Sequence, residues 1–161
     1  MSNCTIDRRG LVFGAAAMLL LPQEGQAAVR ATSATIESMT NSVRQRNGRA
    51  EFRRSAKLEY AAQKYSKVLA LRNQLSHSVD GTTLSTRAQS VGYPYSRLAE
   101  NIGWVERRGD YRDIAGWFLE GWMLSPGHRR NILDSRLRHL GVGVTQAGRR
   151  FYAVQVFGTE R

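Results

Sequence analysis

The chain has 161 residues, 42% of them apolar, and 24 Lys and Arg against 13 Asp and Glu, for a net charge of +11. That length and apolar share suit one compact domain with its own core. The single cysteine, Cys4, excludes a disulfide framework and a cysteine-bound metal centre.

Residues 1–27 read as an export signal that is removed. Arg8 and Arg9 precede the apolar run "GLVFGAAAMLLL", Pro22 ends it, and the small residues Gly25 and Ala27 set a cut after Ala27. The run makes about 18 Å of helix, too short for the roughly 30 Å of a bilayer core. Paired arginines suit the twin-arginine route, although Asp7 stands where that motif more often has Ser or Thr. The expected mature chain is one domain, 28–161, periplasmic or secreted, monomeric and without a thiol nucleophile.

The signal carries two charges of each sign (Arg8, Arg9, Asp7, Glu24), so residues 28–161 also stand at +11. A basic excess points to a polyanion. Export excludes chromosomal DNA, and the scattered arginines lack the interleaved aromatics that stack bases, so no nucleic acid is expected. Anionic lipid head groups, lipopolysaccharide or wall polymers remain as surface partners. Most of the arginines read as a solvated face.

Ile36, Met39 and Val43 predict a helix over about 33–47, closed by Asn47-Gly48. Leu58, Ala62, Tyr65 and Leu69 predict a second, capped by Ser55. "LSHSVDGTT" reads as a turn, Leu84–Val91 as a short helix stopped by Gly92, "YPYS" as a loop and "ENIGWV" as a brief strand. A further helix follows Gly109-Asp110, with Ile114, Trp117, Phe118 and Gly121 on one face and Trp122 at its edge. Ser125-Pro126-Gly127 reads as its stop, because Pro126 cannot continue it, so "LSPGHRRNILD" is expected to be a turn. "HLGVGVTQ" and "RRFYAVQVFG", with "AG" between them, predict an antiparallel hairpin. Helices first and a hairpin last predict a mixed α+β domain with helices covering a small antiparallel sheet.

The candidate chemistry lies in three separate loops, at His77, Glu100 and His128. Two imidazoles and a carboxylate suit a divalent metal. They equally suit acid-base work on a bound water, or only a brace for the fold. His139, at a strand start beside Arg138, reads as a surface residue. No nucleophile elbow, phosphate loop or His-Glu-x-x-His helix is present.

Five segments taken in order, "LSHSVDG", "LAENIGW", "GWMLSPGHRRNIL", "HLGVGV" and "YAVQVFG", resemble the CAP superfamily, the SCP-like domain of cysteine-rich secretory proteins, antigen 5 and pathogenesis-related 1 proteins. The likeness is to its bacterial secreted branch and covers about residues 33–158. It implies a three-layer α-β-α sandwich with an antiparallel sheet between helices. It also implies a cleft lined by two His and two Glu, in which His77, Glu100 and His128 fill three places. The second glutamate of animal and plant members falls near Ser125 here, as in other bacterial members, and Glu120 points elsewhere. Arg129 and Asn131 are expected to serve the turn. "AEFRRSAKLEY" is more basic than the Pro-Leu-bearing segment of many bacterial relatives.

The reading is an exported, non-enzymatic binding module. Its cleft, of His77, Glu100, His128 and Ser125, would take a small apolar, lipid-like or cell-envelope ligand. His77 and His128 would be able to hold zinc or magnesium. The alternative is a peptidase-like hydrolase that uses Glu100 and a histidine on water.

Overall fold

The computed structural model describes residues 23–106 and 109–161. The expected signal therefore lies outside the described residues apart from Gln23–Ala27, and the expected cut after Ala27 falls inside the first helix.

Helix α1 (Gln23–Arg46) starts ten residues before the predicted position. Its buried stripe includes Thr32 and Thr40, whose polarity hides the pattern in the sequence. Each hydroxyl donates to the carbonyl four residues back, Thr32 to Ala28 at 2.9 Å and Thr40 to Ile36 at 2.6 Å, so both threonines bury without an unmet donor.

A two-residue strand β1 (Arg53–Arg54) leads into α2 (Ala56–Arg72). Ser55 caps α2 as expected, and Leu58, Ala62, Tyr65 and Leu69 form its buried face. Helix α3 (Leu84–Ser90) carries a Thr83–Thr86 capping box. Strand β2 (Tyr95–Glu106) is twice the length of "ENIGWV", because only its centre is fully buried. Helix α4 (Tyr111–Leu124) is capped by Asp110, and strands β3 (His139–Ala147) and β4 (Arg150–Glu160) form the predicted hairpin.

The segment expected to be a turn is instead a helix, α5 (Pro126–Leu133). Pro126 does end α4, but it also occupies the first position of α5, where a missing N–H costs nothing and the fixed φ suits a helix. Buried Arg44 of α1 holds the far end of α5, donating from Nη1 to the carbonyls of Ile132 (2.6 Å) and Asp134 (3.1 Å). Burial pushes that guanidinium down to about 10.

The sheet has the order β1-β3-β4-β2, antiparallel except for the short β1–β3 pair. One core lies between its face and α1, α4 and α5, built on residues such as Ile36, Phe118, Trp122, Val142 and Phe157. The other lies under α2 and α3, around Leu58, Tyr65, Leu69, Tyr152 and Val154. This is the expected three-layer α-β-α sandwich of the α+β class. Trp122, expected at the edge of its helix face, is buried and donates from Nε1 to the Ile102 carbonyl at 3.1 Å.

Candidate functional site

Three elements bring the candidate residues together. Glu100 sits on β2 opposite Val156 of β4 and turns its side chain toward the α2–α3 layer, where it is 2% exposed. His77 lies in the loop between α2 and α3. Tyr65 of α2 holds that loop on both sides of it, donating from its hydroxyl to the Ser76 carbonyl at 2.6 Å and accepting from the Val79 N–H at 3.2 Å. His77 Nδ1 then meets Glu100 Oε1 at 2.8 Å.

Arg87 of α3 completes the arrangement. Its Nη2 donates to Glu100 Oε2 at 2.7 Å, and its Nη1 donates to the carbonyls of His77 (3.1 Å) and Thr82 (3.3 Å). Its guanidinium stacks on the Tyr65 ring, 3.5 Å from the centroid. Both oxygens of Glu100 are therefore occupied.

His128 lies on α5 and meets β2 through its backbone. Its carbonyl accepts from Asn101 Nδ2 at 3.2 Å, one residue along β2 from Glu100. Asn131 Nδ2 donates to Asn101 Oδ1 at 2.9 Å and to the Glu100 carbonyl at 3.3 Å, closing α5 onto the outer edge of β2. Asn101 Nδ2 also meets Gln155 Oε1 at 3.0 Å, and Gln155 Nε2 donates to Thr40 Oγ1 at 2.8 Å. A line of side-chain amides thus runs across one face of the sheet from α1 to α5. Asn131 does more than serve a turn, since it ties a strand edge to a helix.

The two imidazoles are driven in opposite directions. The hydrogen bond to Glu100 raises the pKa of His77. Burial lowers that of His128, and the neighbouring charge on His77 lowers it further. The Nδ1 bond leaves Nε2 of His77 as its outward nitrogen.

Ser125 joins α4 to α5, and its side chain makes no capping bond to α5. Among the described residues no group of three or more His, Cys, Asp and Glu is placed to hold a metal. His77 is bonded to Glu100, and the His128 imidazole is near enough to His77 to feel its charge. Two concavities, of about 330 and 420 Å³, open elsewhere, at the α4–α5 junction and beside the end of α2.

Two parts of this site, and one residue away from it, escape the sequence reading. Arg87 sits in a short polar helix, where a lone arginine looks solvent-facing. Gln155 is one polar residue inside an apolar strand, and that interruption was its only signal. His139, expected at the surface, is half-buried with Nδ1 2.8 Å from the Tyr93 hydroxyl.

The three-layer sandwich is the fold of an SCP-like domain. The chain belongs to the CAP, cysteine-rich secretory protein family, whose match covers residues 37–157. It is 27% identical over 121 residues to an uncharacterized protein, YkwD, of Bacillus subtilis (strain 168), covering 74% of this chain and 45% of that one. An extracellular SCP-domain protein of Bacillus anthracis str. Ames superposes with a TM-score of 0.75 at 27% identity, over 88% of this chain and 44% of that one. This chain therefore spans less than half the length of either. The fold is also that of manganese-bound Ac-ASP-7, an Ancylostoma-secreted protein (TM-score 0.56, 17% identity, 88% and 76% covered), and of NaASP2 solved with Zn²⁺ (TM-score 0.55, 15% identity, 87% and 84% covered).

Proposed function

We propose that the chain is an exported CAP-domain binding module. Its cleft at His77, Glu100 and His128, with Ser125 at its rim, takes a divalent metal, zinc or magnesium, through the two imidazoles. A small apolar, lipid-like or cell-envelope ligand binds beside them.

The observation that carries this reading is the bond from His77 Nδ1 to Glu100 Oε1. A buried carboxylate behind a histidine fixes its tautomer and raises the basicity of the other nitrogen, as the outer partners of metal-bound histidines do. The lowered pKa of His128 keeps it neutral at pH 7, the form that binds metals. The zinc and manganese in two fold relatives support the same chemistry. Export agrees with the extracellular relative and with residues 1–27.

The hydrolase alternative needs Glu100 to take a proton from water. Its two oxygens already accept from Arg87 and face His77. That occupancy favours binding over catalysis.

Calorimetric titration of the metal-free protein with zinc tests the reading. About one zinc per chain is expected, with affinity lost in His77→Ala and in His128→Ala and kept in Arg129→Ala. Zinc uptake that ignores both histidine changes would refute the metal site. Turnover of a peptide or ester that vanishes in Glu100→Gln would replace the binding reading with the hydrolase.

A further inference from the structure

Helix α2 buries Leu58, Ala61, Ala62, Tyr65, Ser66 and Leu69 on the sheet. At 3.6 residues per turn, Tyr60, Lys64, Lys67 and Leu71 fall within an arc of about 60° on the opposite side. All four are exposed, Tyr60 by 60% and Leu71 by 83%, whereas most other large apolar side chains among the described residues are covered. The stripe is about 16 Å long at ~1.5 Å per residue, with an apolar residue at each end and two lysines between. Lys64 Nζ lies over the Tyr60 ring, 5.6 Å from its centroid.

No acid interrupts the stripe. The one acidic residue of α2, Glu59, accepts from Arg54 Nε at 2.8 Å on the helix flank. At the Leu71 end the surface continues onto the β3–β4 turn. Asn73 Oδ1 accepts from Arg150 Nη1 at 2.7 Å, Arg150 is paired with Glu106 at 2.8 Å, Arg149 is exposed, and Trp104 is 46% exposed with the Arg150 guanidinium 4.8 Å from its ring.

We infer that the outer face of α2, centred on Tyr60, Lys64, Lys67 and Leu71, docks on an anionic lipid bilayer. Charge selects the partner: a stripe without acid, on a chain of net charge +11, is attracted to an anionic head-group layer. The apolar tips select a bilayer over a soluble polyanion. Tyr, Trp and Leu gain by entering the head-group boundary, and lysines reach phosphates while their stems lie on apolar surface. A dissolved polyphosphate offers Leu71 nothing. The apolar face of α2 stays in the core, so contact is peripheral and salt-sensitive.

This inference locates the envelope contact of the preceding reading and rests on its export half only. Zinc uptake reports the cleft and vesicle binding reports α2, so either can fail while the other stands.

The test is co-sedimentation of the full chain with vesicles of phosphatidylcholine, alone and with phosphatidylglycerol added. The N-terminal apolar run is common to all variants, so differences between them report the helix face. Binding should be stronger with phosphatidylglycerol than without it, and that gain should fall as salt is raised. A basic side chain near an anionic surface is worth about fivefold in affinity, so Lys64→Gln with Lys67→Gln should weaken binding roughly 25-fold. Leu71→Ser should weaken it at unchanged charge. Arg129→Gln with Arg130→Gln, a basic pair on the opposite layer, should leave it in place. The inference is overturned if neutral vesicles bind equally, if the lysine pair makes no difference, or if the Arg129–Arg130 pair accounts for the loss. It is also overturned if inorganic polyphosphate binds as tightly and Leu71→Ser changes nothing.

Discussion

Arg87 Nη2 donates to Glu100 Oε2 over 2.7 Å, in an ion pair whose arginine and glutamate side chains are 9% and 2% exposed. A pair this deep gains little over a hydrophobic substitute, yet breaking it leaves a charge without a partner. Arg87→Ala should therefore cost about 3–5 kcal/mol in urea unfolding. Arg87→Lys should recover only part of this, because an ammonium lacks the planar fork that reaches Glu100, His77 and Thr82 together. A loss below about 1 kcal/mol for Arg87→Ala would show that the pair does not hold the site.

Much of the fold is readable from local pattern, and the site is less so. Helix α2 announces itself because its buried residues are apolar and Ser55 stands at its cap. The hairpin announces itself through alternation and Gly148, whose φ of 60° suits the first place of its two-residue turn. Pro126 misleads, because the residue that keeps α4 from continuing is also the first residue of α5. His77, Glu100 and His128 stand out by residue type, and the structure does bond His77 to Glu100. Arg87, Asn101 and Gln155 are set by partners as far as 115 residues away, and no local pattern carries that information.

Gly143 decides how closely α2 lies on the sheet. A Cβ there would meet the Ala62 carbonyl carbon and the Gln63 nitrogen, each at 2.3 Å. These are backbone atoms of α2 and cannot rotate away. Gly143→Ala should cost about 3 kcal/mol or more, as overpacking against a rigid neighbour does. Gly121→Ala, with nothing within 4 Å of its added carbon, should be neutral or stabilising by up to about 1 kcal/mol. Thermal unfolding of the two variants checks the contrast, and equal effects would contradict it.

Asn101 connects stability to the position of His128. Asn101→Ala removes donors from the His128 carbonyl and Gln155 Oε1, and an acceptor from Asn131. Each buried group left unmet costs about 1–3 kcal/mol. Thr40→Val cuts the same line of polar groups at its other end, away from His128. Both variants should unfold more easily, but only Asn101→Ala should also weaken zinc uptake. Equal zinc affinity in the two would reduce the amide line to core packing.

Asp134 ends α5, and its carboxylate is held by Arg136, whose Nη2 and Nε lie 2.8 and 3.0 Å from its oxygens. That bond, with the Arg136 N–H at 2.8 Å, lowers its pKa from 3.8 to about 2. A folded value below the unfolded one gives stability that is present in full above the unfolded value and lost as pH falls through the folded one. The window is thus pH 4 to about 2. Arg136 is 63% exposed, so solvent screening keeps the contribution small. Asp134→Asn should lower the melting temperature at neutral pH, and its difference from the parent should shrink as pH drops through that window. A difference that stays constant from pH 7 to 2 would mean that the carboxylate charge does not help to anchor the end of α5.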